Sequence, residues 1–171
     1  GTVDLSLRAM PDKRITPLRV SRFYSTPCFP AGAGPDYVNA CAVVQTSDGV
    51  TDPETVLKRL HAIEADFGRA RVQRWGSRSL DLDLLAAGDR VWPDTDTFDQ
   101  WRRLPPAQQR RQAPDRLILP HPRMHERAFV LVPLADVAAD WRHPVLDRTV
   151  AQMVQDLPAA DRDSVTPITR D

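Results

Sequence analysis

Two aspartates, Asp81 and Asp83, flank a leucine in the run Arg74-Trp75-Gly76-Ser77-Arg78-Ser79-Leu80-Asp81-Leu82-Asp83-Leu84-Leu85. Leu80, Leu82 and Leu84 alternate with Ser79, Asp81 and Asp83. Alternation of period two predicts a half-buried strand. Residues i and i+2 of a strand share a face, which sets the two carboxylates about 6.5–7 Å apart at the backbone. Like charges that close repel, and a divalent cation removes the cost. Mg²⁺ suits such a pair, since it takes one or two carboxylates and completes its shell with phosphate oxygens and water. Immediately upstream stand Arg69, Arg71, Arg74 and Arg78, with Trp75 among them. Carboxylates for a metal, arginines for phosphate and an aromatic for a flat ring point to metal-dependent phosphoryl chemistry on a ring-bearing substrate.

The elements that must position these groups can be read along the chain. Residues 3–10 fit either a strand or a helix. Leu18 to Tyr24 reads as a strand, and Tyr37 to Thr46 as a second, nearly continuous in its apolar part and therefore central. Between them Thr26 to Pro35 holds Pro27, Pro30 and Pro35 and two glycines, a loop of restricted backbone. The clearest helix starts at Asp52 as cap, Pro53 at the first helical position and Glu54 in the first turn. Val56, Leu60, Ile63 and Phe67 fall on one face, and Gly68 ends the helix as a left-handed cap. Arg69 to Ser77 is then a polar loop entering the Asp81 strand, which Gly88-Asp89 ends. Residues 89–116, with Pro93, Pro105, Pro106 and Pro114, read as a surface insertion with one short helix. Arg123 to Ala139 is largely helical with a break or kink at Pro133, Thr149 to Leu157 is the last helix, and Asp161 to Asp171 is surface. Strands and helices mix without regular βαβ alternation, which favours an α+β sandwich.

Bulk properties narrow the function. The chain has 171 residues, enough for one domain with a proper core. Lys+Arg and Asp+Glu are both 23, against the basic excess of a general nucleic-acid or membrane binder. Cys28 and Cys41 have no metal-ligand spacing, and free thiols in a reducing compartment are the simpler reading. No apolar run reaches about 18 residues, so no membrane span is predicted, and the first residues do not read as a signal peptide. A cytoplasmic location is the default expectation. His121 and His125 are four apart, but no third ligand makes a zinc pattern with them.

Three segments resemble one family. They are Phe23-Tyr24-Ser25-Thr26-Pro27 with Pro35-Asp36-Tyr37-Val38-Asn39-Ala40; the central Arg74 to Asp83 run; and Pro120-His121-Pro122-Arg123-Met124-His125-Glu126-Arg127-Ala128-Phe129-Val130-Leu131. Their order and spacing resemble 6-hydroxymethyl-7,8-dihydropterin pyrophosphokinase of folate biosynthesis, from about Val20 to about Val150 with an interruption at 89–116. The resemblance implies a ferredoxin-like α+β sandwich with a mixed or antiparallel central sheet. It also implies transfer of pyrophosphate from ATP to the pterin hydroxymethyl with release of AMP, using two Mg²⁺ ions. By position, Asp81 and Asp83 would hold both metals, with Asp81 also near the pterin hydroxyl. Thr26, Pro27, Phe29, Tyr37, Asn39, Trp75 and Phe129 align with pterin-pocket positions. Glu64, Arg71, Arg74, Trp75, Arg78, Leu84, Arg116, Ile118, His121 and Arg127 align with nucleotide contacts. Arg69 and Arg78 match arginines that assist the transfer from loops, which Gly68 and Gly76 would leave free to close.

The family opens with a strand and a Gly-Ser-Asn-Leu-Gly type loop that this sequence lacks. A sheet without its central strand would expose core, so the expectation is a strand upstream of residue 1. A single pyrophosphokinase domain over 1–171, acting as a monomer on small molecules without nucleic acid or membrane, is expected. Two other readings stay open on the residues alone: another Mg-dependent nucleotide transferase with an Asp-x-Asp site, and a nucleic-acid module using Arg69 to Arg78. The aligned residues also have plain readings. Trp75 fits a buried anchor as well as a pocket rim, Glu64 fits a residue that simply favours its helix, and Arg127 fits a surface ion pair.

Overall fold

Asp52 opens the longest helix, α1 (Pro53–Val72). Its carboxylate accepts the Thr55 N–H at 3.1 Å and the Thr55 hydroxyl at 2.7 Å, as a helix N-cap should. The computed structural model of the chain describes residues 14–27, 34–72, 80–111 and 116–169, with 68–72 and 110–111 as backbone alone. The helix runs four residues past Gly68, so Gly68 is not its end and Arg69 and Arg71 lie on its last turn rather than in a loop. A glycine inside a helix costs only about 1 kcal/mol, and the Arg-Ala-Arg that follows favours helix.

Contacts divide the chain into two compact units, the first drawn from Gly1–Leu18 and Val44–Leu85, the second from Arg19–Val43 and Ala86–Asp171. In the first, α1 turns Leu60 and Ile63 onto Ile15, with Val44, Phe67, Leu80, Leu82 and Leu84 packed around them. Arg59, buried on the same helix, is held bidentately by Asp48, at 3.1 and 2.6 Å.

The strands are β1 (Ile15–Val20), β2 (Tyr24–Thr26), β3 (Tyr37–Asn39), β4 (Ala42–Thr46) and β5 (Thr166–Pro167). β1 pairs with β4, and a second sheet has the order β3-β2-β5, antiparallel throughout. The two long predicted strands are thus each broken, at Ser21–Phe23 and at Ala40–Cys41. One contact explains both breaks. Ser21 N–H donates to the Cys41 carbonyl at 2.8 Å, while Cys41 N–H turns to the Ser21 hydroxyl at 2.9 Å. A side chain takes the place of a ladder carbonyl, and the strands change partners beyond it.

The second unit is cored by α4 (Ala128–Ala138) and α5 (Val150–Asp156). Leu131, Leu134 and Val137 meet Val150, Met153 and Leu157, with Tyr24 and Val165 closing the cluster. α5 starts on a reciprocal capping box between Thr149 and Gln152. Pro133 lies buried within α4 without ending it. Residues 89–116 carry two helices, α2 (Thr95–Arg103) and α3 (Pro106–Arg111), where one was expected. They are not merely surface, because Phe98 is fully buried, its ring 5.6 Å from that of His143. The bridge between Trp92 and Leu119 closes the base of this excursion with two 2.9 Å hydrogen bonds. α5 is not the last helix, since α6 (Ala159–Asp163) follows. The tail, read as surface, also supplies β5, which pairs with β2.

His143 is the one fully buried titratable side chain of this core among the described residues. Its Nδ1 accepts the N–H groups of Val145 and Leu146 at 3.2 and 3.1 Å. Burial, helped by the nearby His125 and Arg102, pushes its pKa down to about 4. The architecture is α+β. Among the described residues no helix is long and apolar enough to cross a membrane.

Candidate active site

The carboxylate segment belongs to the first unit. Asp81 and Asp83 are exposed, while Leu80, Leu82 and Leu84 are partly buried against the Ile15–Leu60–Ile63 core. The alternation of period two therefore holds, and the acidic residues share the side away from the core. The segment is not part of a strand among the described residues, so the predicted Asp81 strand is corrected to an extended-type run shaped by its leucines. Glu64, on α1, accepts the Leu82 main-chain N–H with its carboxylate. That bond supplies a partner the missing ladder does not. Leu84 packs on that core and stays partly exposed. Arg69 and Arg71 are placed only by their backbone on α1, and Arg74, Trp75 and Arg78 lie outside the described residues, as do Phe29 and Cys28.

The second unit brings Thr26 and Asn39 together. β2 and β3 pair Tyr24 with Asn39 and Thr26 with Tyr37, and the Asn39 amide donates to the Thr26 hydroxyl at 2.7 Å. Thr26 is 3% exposed. With its Nδ2 committed, Asn39 keeps Oδ1 as an acceptor. Pro27 is exposed. Tyr37 is 58% and Phe129 41% exposed. The Arg127 guanidinium stands over the Phe129 ring at 5.5 Å, so Arg127 stacks on an aromatic face.

Among the residues aligned with nucleotide contacts, Ile118 is buried beside Leu119 and Arg116 is exposed. His121 accepts the Arg123 N–H through Nδ1 at 3.2 Å. Burial, then the Arg127 and Arg123 charges, push its pKa down to about 4. Neutral at pH 7 with Nδ1 occupied, His121 carries its proton on Nε2 and is a hydrogen-bond donor there. Among the described residues no three His, Cys, Asp or Glu side chains gather as a metal centre.

The profile of the 7,8-dihydro-6-hydroxymethylpterin-pyrophosphokinase family matches residues 2–139. The chain belongs to this family. It is 39% identical over 137 residues to the 2-amino-4-hydroxy-6-hydroxymethyldihydropteridine pyrophosphokinase of Synechocystis sp., across 80% of this chain and 58% of that protein. Proteins of the same name give 39% over 136 residues in Pseudomonas aeruginosa, across 79% and 68%. In Haemophilus influenzae the figures are 36% over 120 residues, across 70% and 61%. The chain spans about three fifths of the length of the Synechocystis and Haemophilus relatives.

Within this pyrophosphokinase-family chain, sequence reasoning passed over one polar cluster. Asp136 of α4 accepts the Tyr24 hydroxyl at 2.8 Å and the Arg22 main-chain N–H at 3.1 Å. It also accepts Nε and Nη2 of Arg22, at 3.1 and 3.0 Å. Burial would raise the Asp136 pKa, but the bonds from Arg22 and Tyr24 outweigh it and hold the carboxyl below its usual range. More than a hundred positions separate Asp136 from Arg22, and no local pattern joins them. The phenol in the Phe23-Tyr24 signature was the available signal, since a buried tyrosine hydroxyl requires a partner.

Proposed function

We propose that the chain transfers a pyrophosphoryl group from ATP to the hydroxymethyl oxygen of 6-hydroxymethyl-7,8-dihydropterin, giving the pterin diphosphate and AMP, in folate biosynthesis. The observation that carries this reading is the family match over residues 2–139, which spans the exposed Asp81–Asp83 pair, the Thr26–Asn39 pair and the His121–Phe129 segment. The relatives' names state the same pterin and the same pyrophosphokinase activity.

The residues have a chemical division of labour under this proposal. Asp81 and Asp83 would hold two Mg²⁺ ions, whose fit rests on two exposed hard-oxygen donors sharing one side. Bound there, magnesium would neutralise phosphate charge and align the displacement. Glu64 fixes the main chain between the two carboxylates. Asn39 Oδ1 offers an acceptor to the N–H edge of a pterin, and Thr26 and Pro27 border it. Tyr37 and Phe129 supply ring faces, together with Phe29 and Trp75. Arg116, Ile118, His121, Arg127, Arg71, Arg74 and Leu84 serve the nucleotide. Arg69 and Arg78 follow the charge as it moves to the leaving α-phosphate, with planar donors that remain ionised. The proposal includes a ferredoxin-like sandwich, one pyrophosphokinase domain over 1–171, a monomer and a cytoplasmic location.

The test is product analysis with calorimetry. Incubation with ATP, Mg²⁺ and hydroxymethyldihydropterin should release AMP and the pterin diphosphate. ADP as the nucleotide product would mark a simple kinase with an Asp-x-Asp site. Absence of pterin binding when Mg²⁺ and a non-hydrolysable ATP analogue are present would remove the proposal.

A further inference from the structure

The main chain between β1 and β2 has left one sheet and not yet joined the next, so the N–H of Arg22 has no ladder partner. Asp136 supplies one across the fold, at 3.1 Å. The same carboxylate takes the Tyr24 hydroxyl and the Nε and Nη2 donors along one edge of the Arg22 guanidinium. Four hydrogen bonds therefore converge on one side chain of α4, and all four come from residues 22 and 24. The Arg22 side chain is mostly exposed, and an exposed ion pair adds little stability. A cluster of that cost and geometry serves position better than it serves stability.

What it positions is β2. Tyr24 and Thr26 are alternate residues of one short strand, 2% and 3% exposed, and so share a face. A strand advances about 3.3 Å per residue, which leaves little freedom between a fixed Tyr24 and the Thr26 hydroxyl two positions on. Asn39 lies opposite Tyr24 and reaches diagonally to Thr26 at 2.7 Å. We propose that Asp136, acting through Tyr24 and Arg22, is a positioning residue that sets the Thr26–Asn39 pair for pterin recognition. The inference rests on the functional reading above and extends it to residues that would touch no substrate. β2 keeps β3 and β5 as neighbours, and Ile168 N–H still holds the Phe23 carbonyl at 2.8 Å. Loss of the carboxylate should therefore loosen the strand without unfolding it.

The experiment compares the full chain with its Asp136→Asn and Tyr24→Phe variants. Calorimetry measures first a non-hydrolysable ATP analogue with Mg²⁺, then hydroxymethylpterin on that complex, and steady-state kinetics give kcat and both KM values. Asp136→Asn should weaken pterin binding about tenfold and Tyr24→Phe about threefold to fivefold, with nucleotide affinity within twofold and kcat at saturating pterin above half of wild type. Tyr24→Phe removes a single hydrogen bond and decides the matter if Asp136→Asn does not fold. Pterin affinity unchanged in the folded variants would overturn the proposal. So would an equal fall in pterin and nucleotide affinity, the mark of a merely structural role. If the wild-type chain binds nucleotide but no pterin, the functional reading itself fails, and this inference with it. If wild type binds pterin and the variants bind it equally well, only this inference fails.

Discussion

The carboxylate of Glu64, on the long helix, accepts the main-chain N–H of Leu82, the residue between Asp81 and Asp83. A helix side chain thus stands in for the ladder partner that the acidic segment lacks among the described residues. Removing an acceptor from a main-chain N–H costs about 1–3 kcal/mol where water cannot replace it. Glu64→Ala is expected to lose about that much in urea unfolding and to raise the Mg²⁺ concentration needed for half-maximal activity severalfold. Glu64→Gln keeps a carbonyl acceptor and should lose less of both. Equal Mg²⁺ requirements in all three proteins would contradict a role in holding the aspartates.

Asp83 is exposed, so its loss should leave the packing of Leu82 and Leu84 intact. Asp83→Ala is expected to lower kcat at least about a hundredfold, the scale on which loss of preorganised charge stabilisation is felt. Its melting temperature should stay within about 2 °C of wild type. A turnover near that of wild type would remove the metal assignment.

The Asn39–Thr26 hydrogen bond predicts a selective defect. Under the proposed function Asn39→Ala removes one recognition acceptor and the donor to the Thr26 hydroxyl, a loss of about 1–2 kcal/mol, which is roughly tenfold in affinity. The loss should fall on the pterin and not on an ATP analogue titrated alone. A nucleotide defect of the same size would show that Asn39 is only a sheet residue.

His143 gives the chain a sensitivity to acid. Its folded-state pKa is about 4 against 6.5 for a free side chain, so the unfolded chain binds more protons between those values. Its contribution is complete above about pH 6.5 and is lost as pH falls towards about 4, at no more than about 1.4 kcal/mol per pH unit. His121, depressed to about 4 as well, adds loss of the same sign. Unfolding free energies across this range should fall in wild type and fall less steeply in His143→Asn, whose amide oxygen can take over the Nδ1 acceptor role. Parallel profiles for the two proteins would rule out His143 as a source.

Phe98 is expected to tie the excursion of residues 89–116 to the second unit. Phe98→Ala should cost about 3–5 kcal/mol, the usual price of an emptied aromatic site, while Phe98→Leu should cost less. A loss below about 1 kcal/mol in the alanine variant would mean that the excursion folds around other contacts.

Local chemistry made much of this legible. The cap at Asp52, the apolar stripe of Leu60 and Ile63, the turn at Gly88 and the alternation around Asp81 are decided by neighbours in sequence, and they stand. Gly88 has φ +58°, the left-handed backbone that its turn position called for. What could not be read depends on partners far away. The strands break where Ser21 meets Cys41, and Glu64 reaches Leu82 across a turn of chain. Asp136 finds residues 22 and 24 from the other end of the sequence. Gly68 misled for a different reason, because its helical cost is small enough for the following residues to override. Thr26, Asn39 and Phe129 were named from motif resemblance. The structure adds the hydrogen bond joining the first two and the stacking of Arg127 on the third, which no spacing rule contains.

β5 joins the strand bearing Thr26 only after nearly all of the intervening chain has been made, since Ser25 pairs with Thr166. Closing so long a loop is slow relative to local steps. As the polypeptide leaves the ribosome, β2 must wait with one edge bare until residues 166–167 have been made. Order along the edge of β2 that receives β5 should therefore come late, after α1 and its leucine core have already formed.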